Sequence, residues 1–319
     1  MSATHTVTAF APATVANVAC GFDVFGFALE GPGDLVTARF SDDPGIRIRE
    51  IIGDGGRLPT DPDRNVAGVV ARKILAACGI DRGVSLSINK GIPLSSGLGG
   101  SAASSVAAAW AVDRLLDLHL PAGKLLGFAL EGEKVASGSP HPDNAAACLH
   151  GGFILVTDSG GNPEVTRLPI PKGLGCAILR PHIEIRTGEA RARLADGIQL
   201  RDAVRQWGNT AGLVAGLFTE DWDLIRRSLR DFVAEPVRSG SIPGFAAVQQ
   251  AALDAGALGC SLSGSGPSLF ALCRDRKTAE RVRDRMSGAF RSHAGDGFDS
   301  FTSPVSPDGA RQAPEGSAG

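Results

Sequence analysis

The stretch Pro93-Leu94-Ser95-Ser96-Gly97-Leu98-Gly99-Gly100-Ser101 constrains this chain more than any other. Before it, Val84 to Ile88 alternates apolar and polar side chains as a strand does. After it, Ala102, Val106, Ala109, Val112 and Leu116 recur at spacings of three and four, which predicts a long helix ending before Pro121 with one face in the core. A glycine-rich turn from strand to helix leaves the first helical N–H groups unpaired at the positive end of the helix dipole, with no side chain in the way. In physical terms that is an anion site. It is not a Walker A loop, because no Lys-Ser/Thr pair follows and the nearest lysine, Lys90, precedes it. Nor does it fit the GxGxxG pattern. On glycine spacing alone, a structural turn with a serine N-cap accounts for it equally well.

Composition narrows what such a site can serve. At 319 residues the chain is about twice the ~150-residue length of one domain, so two domains or one large one are expected. Apolar residues at 43% and charged residues at 21% supply a core and exclude a disordered chain. Basic and acidic residues nearly balance, at 32 and 34, with no basic block, which argues against nucleic acid as principal partner. Cys20, Cys78, Cys148, Cys176, Cys260 and Cys273 include no CxxC pair, so neither a zinc ribbon nor a thioredoxin-type site is supported. Free thiols in a reducing cytosol are expected instead. The longest clean apolar run, Val106 to Val112, is far short of the ~20 residues of a membrane span. The first basic residue after Met1 is Arg39, so no charged leader is expected. These features predict a soluble cytoplasmic protein without a membrane partner.

Strands are predicted at Thr6–Phe10, Leu35–Phe40, Ile46–Ile52 and Gly152–Asp158, with helices at Asn65–Cys78, Ala122–Val135 and Ala145–His150. Ser159-Gly-Gly-Asn-Pro163 is the best linker or hairpin in the middle of the chain. A strand at Ala177–Pro181 follows, then helices across 189–235 and 245–255, a strand-turn-strand at Gly259–Leu272 and a helix near Lys277–Met286. Residues 303–319 are Pro/Gly/Ala-rich without periodicity and are expected to form a disordered tail. The division expected is 1–165, 166–302 and that tail.

Two further segments change the weight of the glycine loop. Near the N-terminus stands Ala11-Pro12-Ala13-Thr14-Val15-Ala16-Asn17-Val18-Ala19-Cys20-Gly21-Phe22-Asp23, and near the C-terminus Leu262-Ser263-Gly264-Ser265-Gly266-Pro267-Ser268. In that order, with P-x-x-x-G-L-G-x-S-A-A-S between them, the three resemble the GHMP small-molecule kinases. Gly138-Ser-Pro-His141-Pro-Asp143-Asn144, Thr187-Gly-Glu-Ala-Arg191, Glu235-Pro-Val-Arg238 and Ile242-Pro-Gly-Phe245 are similar to one branch, the homoserine kinases. The resemblance runs from about residue 8 to residue 290. It implies an α+β fold with a ribosomal-protein-S5-like N-terminal domain and a ferredoxin-like C-terminal one. It also implies phosphorylation of the side-chain hydroxyl of L-homoserine by ATP with Mg²⁺, a step toward threonine. Dimerisation is common in the family, which leaves a homodimer open.

The resemblance also implies site residues. Pro93, Ser95, Ser96, Gly97, Leu98, Gly99, Gly100, Ser101, Ala102 and Ala103 would bind the nucleotide, with Gly97 to Ser101 around its phosphates. Asn65 would lie near the base, although a helix N-cap explains it as well. Ser101 and Glu133 would hold the metal, Glu133 being preferred to Glu131, and one carboxylate beside phosphates and waters suits a hard dication. Asn17 and Asp23 would address the hydroxyl and ammonium of the substrate. Arg191 and Arg238 would clamp its carboxylate, a planar fork on a planar anion, and His141, Asn144 and Thr187 complete the pocket. With Asn144 near the reacting hydroxyl, Asp143 is the one carboxylate weighed as a base. Two departures from the family pattern are Gly100 for a common serine and Val18-Ala19-Cys20 for Leu-Gly-Pro. The alternatives are a GHMP kinase acting on another alcohol, such as mevalonate or a sugar, or a sensing paralogue that binds both ligands without turnover.

Overall fold

A computed structural model describes residues 6–158, 162–194 and 197–314. It is an α+β molecule built on two sheets. In the first, β1 (Thr6–Ala16) pairs antiparallel with β2 (Phe25–Ser41), and β2 is long enough to serve two neighbours. Its C-terminal half pairs with β4 (Gly83–Asn89), which holds β3 (Ile46–Ile52) in parallel, and its first residues pair with β5 (Phe153–Asp158). Helix α1 (Val66–Cys78) runs between β3 and β4; Asn65 caps its start and Gly79, at φ 64°, its end. Both caps are read directly from the sequence, since a short polar side chain and a residue free to adopt left-handed φ are what those ends demand.

Helix α2 (Gly100–Leu115) follows the glycine loop and lies against β1 and β2, flanked by α1, α3 (Ala122–Ser137) and α4 (Pro142–His150). The sequence predicts one buried face, but every residue from Ala102 to Ala109 is buried. Five of those eight are alanines (Ala102, Ala103, Ala107, Ala108 and Ala109), so neighbours approach on all sides without collision.

The second sheet has the antiparallel order β10-β7-β9-β8: Phe298–Pro304, Gly175–Pro181, Leu269–Cys273 and Gly259–Leu262. Helices α9 (Phe245–Asp254) and α10 (Arg276–Ala294) pack on it around Val248, Val282, Met286 and Phe290. Between β7 and α9 run α5 (Thr187–Ala192), α6 (Leu200–Thr219), α7 (Trp222–Ser228) and α8 (Glu235–Arg238). All six cysteines are free, and all but Cys78 are buried.

Two expectations need revision. The boundary expected at 165 falls inside β6 (Pro163–Leu168), which pairs with β5 in the first sheet. That pairing closes a hairpin, although residues 159–161 of its connection lie outside the described residues. The stretch expected as a disordered tail is built into the fold as far as residue 314. Ser303 and Pro304 end β10, and β11 (Arg311–Gln312) pairs with β1. Val305 N–H donates to Leu174 O, Ser306 N–H to Ala28 O, and Ala313 N–H to Thr8 O. Its order comes from backbone bonding to distant strands, which leaves no periodicity in composition. Residues 315–319 lie outside the described residues.

Truncation after Pro304 is therefore expected to destabilise the protein. It removes at least these three backbone bonds, at about 1 kcal/mol each, and takes away the buried side chains of Val305 and Ala313. A fall in Tm of roughly 5–10 °C is expected in a thermal melt. An unchanged Tm would return the segment to the status of a passive tail.

Candidate active site

The three sequence segments meet in space. Thr14 N–H donates to Leu98 O at 3.1 Å, Ser268 N–H to Ser96 O at 3.2 Å, and Gly264 N–H to Ala16 O at 3.1 Å. Ser263 Oγ donates to Gly97 O at 2.7 Å. Gly97 sits at φ 77°, and a Cβ there would lie 2.6 and 2.7 Å from the carbonyl oxygens of Gly266 and Ser263. Gly99, at φ 70°, begins α2, and a Cβ there would strike Thr14 Oγ1 at 2.1 Å and Asn144 Oδ1 at 2.8 Å. Glycine at 97 and 99 is thus required twice over, by backbone angle and by space.

Beside this junction opens a cleft of about 780 Å³. Its walls include Asn17, Asp23, Asn65, Pro93, Ser95, Ser96, Gly97, Gly99, Gly100, Ser101, Glu133, His141, Asn144, Thr187, Arg191 and Arg238. Of the residues singled out in the sequence, Leu98, Ala102 and Ala103 do not line it. Their side chains are 1%, 0% and 0% exposed and turn into the core, so only their backbone remains for a ligand. Asn65 does line the cleft, but its amide is engaged locally. Its Oδ1 accepts from Ala67 N–H at 3.0 Å and its Nδ2 donates to Pro59 O at 2.9 Å.

At the loop end, the first turn of α2 presents the N–H groups that no earlier carbonyl can reach. Ser101 stands in that turn. Glu133 comes from α3 and is 2% exposed, with His141 Nδ1 at 3.5 Å from its Oε2. Glu131 faces away and pairs with Lys134 and Lys73, so it is a surface acid. Burial pulls the basicity of His141 down, but the hydrogen bond and charge of Glu133, with Asp143 and Asp23, leave it raised. One buried carboxylate and one hydroxyl are a hard-oxygen set that suits Mg²⁺ shared with phosphate oxygens. No cluster of three or more His, Cys, Asp or Glu side chains able to hold a metal alone occurs among the described residues.

The other end of the cleft is strongly charged. Arg191 Nη1 and Nη2 donate to Asp23 Oδ1 and Oδ2 at 3.2 and 2.6 Å, a two-pronged pair. The two residues expected to bind opposite ends of one ligand therefore neutralise each other in this state. That hydrogen bond, opposed by partial burial, raises the pKa of the Arg191 guanidinium. Arg238 is 6% exposed and donates from Nη1 to Gly264 O at 3.1 Å. Its buried Nε has no hydrogen-bond partner among the described residues. Burial holds its guanidinium below its ordinary value, partly offset by Asp23 and Asp231. A buried cation with an unfilled donor on a cleft wall is costly unless an anion completes it.

Phe22, to which the sequence assigns no role, lies between the two cations, its ring centroid 5.6 Å from the Arg191 guanidinium and 5.3 Å from that of Arg238. Its place beside Asp23 was the only signal. Thr187 Oγ1 is 3.3 Å from Ser265 Oγ. Asn17 Nδ2 donates to Gly264 O, and its Oδ1 accepts from Asp23 N–H. Asn144 Oδ1 accepts from Thr14 Oγ1 at 2.8 Å. Next to it, burial and the charge of Asp23 push the Asp143 carboxyl up to about 6.

Comparison with known proteins identifies the family of the fold. The family described as GHMP kinases N terminal domain matches residues 65–152, and GHMP kinases C terminal matches 213–292. The homoserine kinase of Chlorobaculum tepidum is 48% identical over 317 residues, covering 96% of this chain and 98% of that one. The crystal structure of homoserine kinase from Cytophaga hutchinsonii superposes with a TM-score of 0.93 at 48% identity, covering 98% of each chain. Mevalonate kinase from L. major, at 16% identity and a TM-score of 0.69 over 95% of this chain and 97% of that one, shares the fold alone. The chain belongs to the GHMP kinase family, in its homoserine kinase branch.

Proposed function

We infer that this chain transfers the γ-phosphoryl group of ATP to the side-chain hydroxyl of L-homoserine, giving O-phospho-L-homoserine and ADP. One observation carries the reading. A single cleft has an anion-binding helix start at one end and, at the other, a buried arginine with an unfilled donor beside an Asp-Arg pair. That is a phosphate site facing a site for a small zwitterion. The relatedness to homoserine kinases over nearly the whole chain supports the same substrate.

The geometry of the cleft is compatible with the roles that the family resemblance implies. The backbone of Gly97 to Ser101 receives the phosphates, with the α2 dipole behind it. Ser101 and Glu133 would hold Mg²⁺, which would supply positive charge against the phosphates. Arg238 and Arg191 take the substrate carboxylate, and Asp23, released from Arg191, takes the ammonium. Asn17, His141 and Thr187 fill the wall around them, and Asn144 orients the hydroxyl. Transfer through a loose transition state needs little early proton removal, so alignment and charge neutralisation supply most of the rate. Asn65 shapes the nucleotide end by capping α1 rather than by donating to the base.

No described helix is long and apolar enough to cross a membrane. The reading places the reaction in the cytoplasm, toward threonine, with the nucleotide at the glycine loop and the substrate between Asn17, Asp23, His141 and Asn144 on one side and Thr187, Arg191 and Arg238 on the other.

Three outcomes are expected. ADP release with ATP and Mg²⁺ should be stimulated by L-homoserine far above D-homoserine, mevalonate or galactose; equal activity on mevalonate would overturn the branch assignment. Glu133→Gln keeps shape and removes charge, so kcat should fall ~10²–10³-fold at saturating Mg²⁺, whereas near-normal turnover would remove Glu133 from the metal site. Arg238→Lys should raise the homoserine KM by roughly 10²-fold with nucleotide affinity intact, since an ammonium cannot reproduce the fork. Free substitution by lysine would put the carboxylate clamp elsewhere.

A further inference from the structure

A lysine does serve the glycine loop, reaching it from the strand side. Lys90 leaves the end of β4 and is held there by its own N–H, which donates to Ile52 O at 2.8 Å. Its side chain is 2% exposed and ion-pairs with Asp34 of β2, which is 0% exposed. The Lys90 ammonium also donates to Gly100 O at 2.7 Å and to Ser104 Oγ at 2.9 Å. Ser104 Oγ in turn donates to Asp34 Oδ2 at 2.7 Å, and Ile92 N–H donates to Asp34 Oδ1 at 3.1 Å. One cation, one anion and one hydroxyl thus close a triangle against the first turn of α2.

An ammonium has three N–H donors. Asp34, Gly100 and Ser104 take all three, and the cation is neutralised by contact with its own carboxylate. Lys90 therefore has neither a free donor nor a free charge for phosphate, unlike the lysine of a Walker A loop. Stability does not explain the pair either, because a buried ion pair is about as often neutral or worse than a hydrophobic replacement. What it does uniquely is grip a backbone carbonyl. The loop ahead of α2 has Ser95, Gly97 and Gly99 at positive φ. On its other side Ser263 holds Gly97. On the helix side, the grip on Gly100 and Ser104 sets where the first turn begins.

We propose that Lys90, Asp34 and Ser104 are positioning residues for nucleotide binding, fixing the first turn of α2 so that the N–H groups of Gly99 to Ser101 face the phosphates. The assignment rests on the nucleotide site proposed above. Two variants test it by calorimetric titration with MgADP, alongside the homoserine KM and a thermal melt. Ser104→Ala leaves both charges and the Lys90 bond to Gly100 O, removes the hydroxyl arm of the tie to the helix, and should weaken MgADP by roughly five-fold. Asp34→Leu combined with Lys90→Met removes the pair without stranding a buried charge, and should weaken MgADP by about ten-fold or more. The homoserine KM should stay within about two-fold in both, which a merely destabilised fold would not spare. Wild-type MgADP affinity in both variants overturns the assignment. A loss confined to the double variant overturns the role of Ser104 and rests the positioning on the Lys90 bond to Gly100 O alone. If the double variant does not fold, Ser104→Ala decides alone. Failure of the unaltered protein to bind MgADP would instead overturn the nucleotide site itself.

Discussion

Gly97 is pressed between two carbonyl oxygens of a loop that lies more than 160 residues further along the chain. Everything at the site depends on that close approach. It lets the first sheet and the loop between β8 and β9 share backbone bonds, so the cleft wall is continuous across two sheets that also share one core through Cys176, Ile178, Phe270 and Leu272. A methyl group at position 97 would open this seam by a fraction of an ångström, and near-attack geometry tolerates little of that. The glycines of the loop therefore do two jobs. They clear the way to the helix N-terminus, and they let one backbone lie against another.

The electrostatics of the cleft follow from pairing within it. Asp34, Lys90, Glu133 and Arg238 are buried there while Asp23 and Arg191 are part-exposed, and buried charges persist only with partners. Asp34 has Lys90, Glu133 has His141, and Asp23 has Arg191. Arg238 is the group whose buried donor is unfilled among the described residues. On the proposed reading, exchange of these pairs makes the zwitterion site selective. A carboxylate ligand alone would draw Arg191 from Asp23 and leave that acid unpaired, whereas an amino acid supplies both replacements at once. Discrimination of this kind comes from the site's own charges rather than from shape.

Legibility in the sequence tracked locality. The strand-loop-helix at 84–116, the caps Asn65 and Gly79, and the strand at Ile46–Ile52 are local patterns, and the structure has them where residue chemistry puts them. The distinction between Glu133 and Glu131 follows from helical geometry, since two residues apart on a helix point to different sides. Strands β10 and β11 were not legible, because they are edge strands whose partners are distant backbone groups, and β11 has only two residues. Asp34 and Lys90 were equally hidden. An isolated acid and an isolated lysine with 56 positions between them have no spacing signature, and only the folded sheet makes them a pair. Leu98, Ala102 and Ala103 erred the other way: they stand inside a functional motif, yet their side chains serve the core.

The turn at Asn17-Val18-Ala19 shows how the site tolerates a departure from its family's pattern. These three residues adopt φ of 67°, 44° and 58°, and Asp23 adopts 59°. Left-handed conformations at non-glycine positions are costly, most of all for a β-branched valine, and persist only where surroundings over-determine them. Here the surroundings do. Val18 and Ala19 are buried at 0% and 2% exposure, and Gln206 and Thr210 of α6 both donate to Cys20 O. Asn17 is tied at both ends of its amide, to Gly264 O and Asp23 N–H. The constraint that holds the strained turn is thus the same one that aims Asp23 into the cleft. Burial of the apolar side chains offsets the backbone cost, and the substrate end of the site inherits its rigidity from the packing of α6.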